Sequence, residues 1–325
     1  MPRLIAYTVA LTLLSTGGFI EGCGSGDSQT DGAVQPDALA KVDLTYDNLV
    51  EACVRLAACE VERTPRLGDC LDNFHVRYAY YGRRALYEAL YDCVNKSQGE
   101  CGDIRQCVGY SRRLKTGECD QSYSSCEGDV AHNCDLVGGG YKVAIPCAKG
   151  GLKCALRDTG GSKSAACTTG TCDKTFKARC EDRKLLTCVG GAIQINDCPA
   201  QQLQCRDPEI GLCEGTGRSC PAASTSPVCS GNVLVSCDQN YLTAIDCTKV
   251  YGKKKCDVNT VKCGGAGAEC DVGGVTTFND CEGDTLVACI DGTRRRYDCK
   301  KLGFLGCEKA TTGYGAYCKA EPVYE

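Results

Sequence analysis

The residue type with the widest chemistry in this chain is cysteine, found at 31 of 325 positions. A cysteine sulfur can ligate metal, attack an electrophile, exchange disulfides or cross-link the chain, and spacing separates these roles. No Cys-x-x-Cys occurs, which removes the usual zinc knuckle and the thioredoxin-type redox motif. Instead, 24 cysteines form four copies of a six-cysteine pattern. The first copy holds Cys119, Cys126, Cys134, Cys147, Cys154 and Cys167, and the second Cys172, Cys180, Cys188, Cys198, Cys205 and Cys213. The third holds Cys220, Cys229, Cys237, Cys247, Cys256 and Cys263, and the fourth Cys270, Cys281, Cys289, Cys299, Cys307 and Cys318. Copies begin 53, 48 and 50 residues apart, and the second and third cysteines are always eight positions apart. Cys53, Cys59, Cys70, Cys93, Cys101 and Cys107 precede the copies, and Cys23 stands alone near the start. A fixed frame with variable loops reads as a repeated disulfide module, so all but Cys23 are expected in disulfides.

The other reactive side chains form weaker patterns. Histidine occurs twice, as His75 beside Phe74 and His132 two residues before Cys134. Neither lies in a recognisable nucleophile motif, so no catalytic residue and no enzyme are expected. Asp197, Asp246 and Asp298 each precede a fourth cysteine, where the first copy has Pro146. Calcium needs several oxygen ligands at short spacing; one Asp per module suits a hydrogen-bonded turn, and no metal or other cofactor is expected. Phe74, Tyr78, Tyr80, Tyr81, Tyr87 and Tyr91 could stack on sugars, although in a small helical domain they are the natural core. Lys253-Lys254-Lys255 and Arg294-Arg295-Arg296, with Lys300-Lys301 behind, could face a polyanionic glycan or lipid headgroups; solubilising loops are the plainer reading. The long inter-cysteine loops 155–166 and 271–280 could present a rigid segment to a protease cleft. A net charge of −4 gives no argument for nucleic acid as a partner.

These residues must be positioned by small elements. With no Trp, one Met and five Phe, the chain lacks the bulk for one large core. Modules of about 50 residues bury too little surface to be stable alone, and each disulfide contributes roughly 2–4 kcal/mol. Gly128-Asp129, Gly231-Asn232 and Gly283-Asp284 are hairpin signals between the second and third cysteines, whereas the second copy has Asp182-Arg183. Further turn signals follow each third cysteine: Gly138-Gly139-Gly140, Gly190-Gly191, Asp238-Gln239-Asn240 and Asp291-Gly292. An alternating run comes next, clearest at Ala192-Ile193-Gln194-Ile195. The pattern predicts a three-stranded meander per module, closed by a small cysteine-bounded loop. First-to-third, second-to-fourth and fifth-to-sixth pairing suits it.

Glycine joints at Thr116-Gly117, Thr169-Gly170, Thr216-Gly217 and Gly264-Gly265-Ala266-Gly267 set repeats 1 to 4 at 116–167, 169–213, 216–263 and 266–318, with a tail at 319–325. Upstream, 43–112 reads as a helical domain. Leu49, Val50, Cys53, Leu56 and Ala57, then Leu67, Cys70, Leu71, Phe74 and Tyr78, then Leu86, Ala89, Leu90, Cys93 and Val94 recur at helical spacing. A short fourth helix is predicted near Ile104 and Cys107. The six cysteines here allow 15 pairings, which the sequence leaves open. The expected fold is therefore small and disulfide-rich: an α-helical, cysteine-clamped N-terminal domain followed by four β-hairpin or meander disulfide modules.

Residues 1–22 carry Arg3 and a short apolar stretch, suiting a signal peptide rather than a membrane span. The segment ends in Ile20-Glu21-Gly22-Cys23, which resembles a bacterial lipobox. That resemblance implies cleavage before Cys23, lipid attachment at Cys23, and a polar tether over 23–42. Counting agrees, because setting Cys23 aside leaves 30 cysteines, an even number in every segment. By resemblance to envelope sorting, Gly24 rather than Asp after Cys23 implies the outer membrane. The whole layout resembles cysteine-rich lipoproteins of bacterial envelopes, whose hairpins read Cys-x-Gly-Asp/Asn-x-Leu-Val-x-Cys. Cys229-Ser-Gly-Asn-Val-Leu-Val-Ser-Cys237 matches this in full. The resemblance brings no assigned activity. It implies a lipid-anchored, non-enzymatic protein whose modules form an extended stalk or interaction surface. The expected partners are a membrane, through the anchor, and an envelope or extracellular protein or glycan. A carbohydrate-binding adhesin and a protease inhibitor are the alternatives.

Overall fold

The computed structural model describes residues 44–59, 67, 70–71, 74, 82–113, 115, 117–135, 139–158, 160–221, 226–238, 240–250, 255–258, 261–264, 270, 277–290, 292–309 and 315–321. Three helices open it: α1 (Tyr46–Ala58), α2 (Arg84–Lys96) and α3 (Cys101–Cys107). The Thr45 hydroxyl caps α1 by accepting the Asn48 N–H at 3.2 Å. Each helix buries most of the stripe its spacing predicts, Leu49, Val50, Cys53 and Leu56, then Leu86, Leu90 and Val94, then Ile104, while Ala57, Ala89 and Cys93 are half-buried. Between α1 and α2, Leu67, Cys70 and Leu71 are helical and buried, whereas Tyr78 of that expected helix lies outside the described residues. Cys53–Cys70, Cys59–Cys101 and Cys93–Cys107 clamp the helices. Arg105, itself buried, donates from Nη2 and Nε to the Cys59 carbonyl at 2.9 and 3.2 Å, closing the end of α1.

Each repeat begins with a three-stranded antiparallel meander. Repeat 1 has β1 (Ser125–Glu127), β2 (Val130–Asp135) and β3 (Tyr141–Pro146), and repeat 2 has β6 (Arg179–Glu181), β7 (Lys184–Val189) and β8 (Ala192–Asn196). Repeat 3 has β9 (Val228–Ser230), β10 (Val233–Asp238) and β11 (Tyr241–Asp246), and repeat 4 has β14 (Thr277–Glu282), β15 (Thr285–Ile290) and β16 (Thr293–Asp298). At the first turn Gly128, Gly231 and Gly283 sit at φ 56°, 59° and 61°, the sign a type II′ turn needs at its first central residue. Repeat 2 makes the same connection without glycine, with Asp182 and Arg183 at φ 47° and 64°, the sign pattern of type I′.

The closing segment is more than a loop. It forms a second hairpin in three repeats: β4 (Lys153–Asp158) with β5 (Lys163–Thr168), β12 (Lys255–Asp257) with β13 (Lys262–Gly264), and β17 (Gly306–Lys309) with β18 (Ala316–Lys319). In repeat 2 a single bridge, Gln204 to Glu214, takes its place.

This second hairpin overturns two thirds of the expected disulfide pairing. First-to-third bonds form as expected: Cys119–Cys134, Cys172–Cys188, Cys220–Cys237 and Cys270–Cys289. The second cysteine instead joins the fifth, in Cys126–Cys154, Cys180–Cys205, Cys229–Cys256 and Cys281–Cys307. The fourth joins the sixth, in Cys147–Cys167, Cys198–Cys213, Cys247–Cys263 and Cys299–Cys318. The reason is sheet geometry. Cys126 lies on β1 and Cys147 follows β3, so the middle strand separates them. Two strand spacings are roughly 9.5 Å, beyond the 4.4–6.8 Å between Cα atoms that a disulfide spans. The fifth and sixth cysteines are opposed in register, Cys154 with Cys167, Cys256 with Cys263 and Cys307 with Cys318. Each pair therefore offers two sulfurs together, and two disulfides run side by side from hairpin to meander.

Packing between modules bears on the expected stalk or interaction surface, because repeat 4 folds back onto the helices. Repeat 1 packs on α2, where Gly150 abuts the Leu86 backbone, and the Ala144 N–H donates to the Gly109 carbonyl at 2.8 Å. Repeat 2 leans on repeat 1 through Asp158 N–H to Gly190 O at 2.8 Å. Repeat 3 meets repeat 2 where the Gln202 side-chain amide binds both the N–H and the carbonyl of Asp246, at 2.8 and 3.0 Å. Repeat 4 returns to the helical domain. Arg55 of α1, 7% exposed, donates to the carbonyls of Ser97 and Leu302 at 3.0 and 3.3 Å. Leu286, Ile290, Phe304 and Cys318 of repeat 4 share one buried cluster with Leu49, Leu90 and Ile104 of the helices.

Candidate functional site

The sequence-predicted residues separate into those the fold consumes and those it leaves available. His132 lies on β2 with 17% of its side chain exposed, Nε2 at 3.5 Å from Glu127. His75 and Cys23 lie outside the described residues, as do Tyr80, Tyr81, Lys253 and Lys254. Among the described residues no cluster of His, Cys, Asp and Glu is arranged to hold a metal ion. Asp197, Asp246 and Asp298 take the turn role read from the sequence. Their carboxylates accept from the N–H groups of Ala200, Thr248 and Lys301 at 3.0–3.1 Å, capping the turn behind each fourth cysteine. Phe74 and Tyr91 are 1% and 2% exposed with ring centroids 5.6 Å apart, so this aromatic pair is core rather than a sugar platform.

The triple arginine is not one basic face. Strand alternation on β16 leaves Arg294 and Arg296 exposed and turns Arg295 toward α1, where it pairs with Asp47 and lies over the Tyr46 ring. Arg296 pairs with Glu282, Lys300 with Asp284 and Lys301 with Asp298, so acids meet this basic stretch. Loop 155–166 is likewise a closed hairpin, in register from Lys153–Thr168 to Asp158–Lys163.

Burial in the seam between repeat 4 and α1 pushes the Tyr297 phenol up to about 12, against the opposing pull of Arg295. A phenol whose folded value lies above its unfolded one contributes stability that is complete below pH 10 and lost between about 10 and 12. Absorbance titration of the tyrosinates should show a late component near pH 12 that is missing from Tyr297→Phe; an unchanged curve would refute the buried phenol. At the acid end, hydrogen bonds hold several carboxyls below the usual carboxylate range. The causes are the hydroxyls of Ser122 on Asp120, Thr175 on Asp173 and Thr248 on Asp246, and the Lys301 N–H on Asp298. Depressed folded values contribute stability that is present above about pH 4 and lost as pH falls through them. The guanidinium midpoint should therefore be flat above roughly pH 5 and drop below about 4. A combined Asp120→Ala, Asp173→Ala variant should drop less; an equal drop would remove these turns as the cause.

Two arginines outside every motif remain available. Arg83 is the N-cap residue of α2 and Arg157 lies on β4, and both line the same cleft where α2, repeat 1 and repeat 2 meet. The cleft holds about 180 Å³ between Leu86, Tyr87 and Ile145. It adjoins a smaller recess walled by Leu152, Ile193 and Ile195. Among the described residues no acidic side chain lines either part. Arg157 Nε is buried without a hydrogen-bond partner, an arrangement that costs about 1–3 kcal/mol if nothing meets it. Ser164 stands opposite Arg157 in the β4–β5 register and faces the same cleft. No signal in the sequence pairs Arg83 with Arg157, because they are 74 positions apart and their meeting depends on Gly150 packing against Leu86.

No family model, curated protein or solved structure matches this chain. The functional reading rests on its own residues.

Proposed function

We propose that this protein is a non-enzymatic, lipid-anchored envelope protein that displays disulfide-stabilised modules for a structural or binding role. The observation that carries the reading is the cross-linking. Fifteen disulfides take thirty cysteines, three in the helical domain and three in every repeat, and the one cysteine outside them is Cys23. A thiol left over in an otherwise fully paired exported chain calls for a modification, and the lipobox-like Ile20-Glu21-Gly22 before it supplies one. Acylation there would hold the tether at a bilayer, while the repeats and helices face outward as a body resistant to reduction of any single bond. Outer-membrane placement follows from Gly24 by the same resemblance.

Phe74 and Tyr91 being core and the basic stretch of β16 being paired lend the adhesin reading no support, while Tyr78, Tyr80, Tyr81, Lys253 and Lys254 lie outside the described residues. The test is the intact mass of protein from its native envelope, before and after reduction and alkylation. An acylated mature chain beginning at Cys23, with no thiol labelled until reduction, is the expected result. An unmodified Cys23, or several thiols labelled before reduction, would sink the proposal.

A further inference from the structure

We propose that the cleft between Arg83 and Arg157 is a binding site for an oxyanion, a sulfate, phosphate or carboxylate group carried on a compact ring or acyl body. The proposal goes beyond display and does not depend on the anchor. Half-burial without a partner sets the two cleft arginines apart, because Arg183 and Arg218, whose guanidinium groups also lack one among the described residues, are exposed to water. Arg55 meets Glu51, Arg84 meets Glu88, Arg112 meets Asp103, Arg179 meets Glu181 and Arg295 meets Asp47. The guanidinium groups of Arg83 and Arg157 have no ion-pair or hydrogen-bond partner among the described residues, in a chain with 41 acidic residues against 37 basic ones. Two guanidinium forks match an oxyanion's geometry, and their half-buried setting strengthens the attraction.

Three more features point the same way. Ser164, opposite Arg157 on the hairpin, adds a hydroxyl donor on the same side. The first turn of the 13-residue α2 holds no acidic residue and Arg83 makes no side-chain cap, so the positive end of the helix is uncompensated beside the cleft. Asn133, by contrast, is occupied, bonding Ala165 on both its amide groups. The open cleft offers about 180 Å³, room for the anion and part of the group that bears it. Tyr87 and Ile145 complete a lining that is otherwise mostly polar, and the body that bears the anion would rest against them.

Isothermal titration of the full chain at low ionic strength, with sodium sulfate, sodium phosphate and sodium glucuronate as probes, tests this. Saturable binding of at least one probe is expected, weakened tenfold or more by Arg157→Gln or Arg83→Gln and abolished by both. Arg294→Gln, an exposed arginine on β16, should bind as the parent does, and amide spectra of all variants should overlay outside the cleft. Tighter glucuronate than inorganic binding would assign the site to an anionic sugar or acid, and the reverse order to the free ion. Absence of saturable binding by all three probes, or binding retained in the double variant, would overturn the proposal.

Discussion

Replacing Cys147 and Cys167 together by alanine is expected to cost about 3–5 kcal/mol of unfolding free energy, read from guanidinium unfolding. The bond closes a loop with a sequence separation of 20, for which chain entropy alone gives about 3 kcal/mol. Both residues also sit in the shared core, at 0% and 7% exposure beside Leu86 and Ile104, so their removal opens space where repeat 1 meets the helices. Removing Cys119 and Cys134, half-exposed and outside that core, should cost less, about 2–3 kcal/mol from a separation of 15. A loss at Cys147–Cys167 no greater than at Cys119–Cys134 would contradict the shared core. The single change Cys147→Ala separates the two pairing schemes. Second-to-fourth pairing would leave Cys126 open to alkylation, whereas the observed bonds leave Cys167.

That contrast shows where the sequence stopped being readable. Strand parity and turn chemistry are local, so the meander and the first-to-third bond are visible in the eight-residue spacing from Cys126 to Cys134 and in Gly128-Asp129. The partners of Cys126 and Cys147 depend on where the following hairpin folds over the sheet, which no spacing encodes. Helical stripes were equally legible from Leu49 to Val94, but nothing in the stretch around Gly303 announces that repeat 4 docks on α1. The basic run of β16 stayed open to two readings for a similar reason. Alternation along the strand divides Arg294 and Arg296 from Arg295, and the acids that meet them, Glu282 and Asp47, come from another strand and from a helix 248 residues away. The Arg83–Arg157 cleft is wholly a product of packing.

The return of repeat 4 to the helices makes Gly303→Val the other change with a large expected effect. Gly303 sits at φ 91° and Gly99 at φ 84°, with their backbones in direct contact. A Cβ on Gly303 would lie 2.5 Å from the Gln98 carbonyl and 2.8 Å from the Gly99 Cα, distances that only backbone movement can relieve. A β-branched residue at that φ adds its own strain of about 1–2 kcal/mol. Undocking would also expose Phe304 and exchange the Arg55 hydrogen bond to the Leu302 carbonyl for one to water. A loss above about 4 kcal/mol is expected, with amide exchange accelerated across α1 and β18. Gly283→Ala supplies the comparison, because Gly283 also has positive φ, at 61°, yet nothing lies within 4 Å of its Cβ position. That variant should lose only about 1–2 kcal/mol, confined to its own turn. If Gly303→Val exchanged no faster than Gly283→Ala along α1, repeat 4 would not be held by this contact. The docking would then rest on Arg295 and the buried side chains of β15 alone.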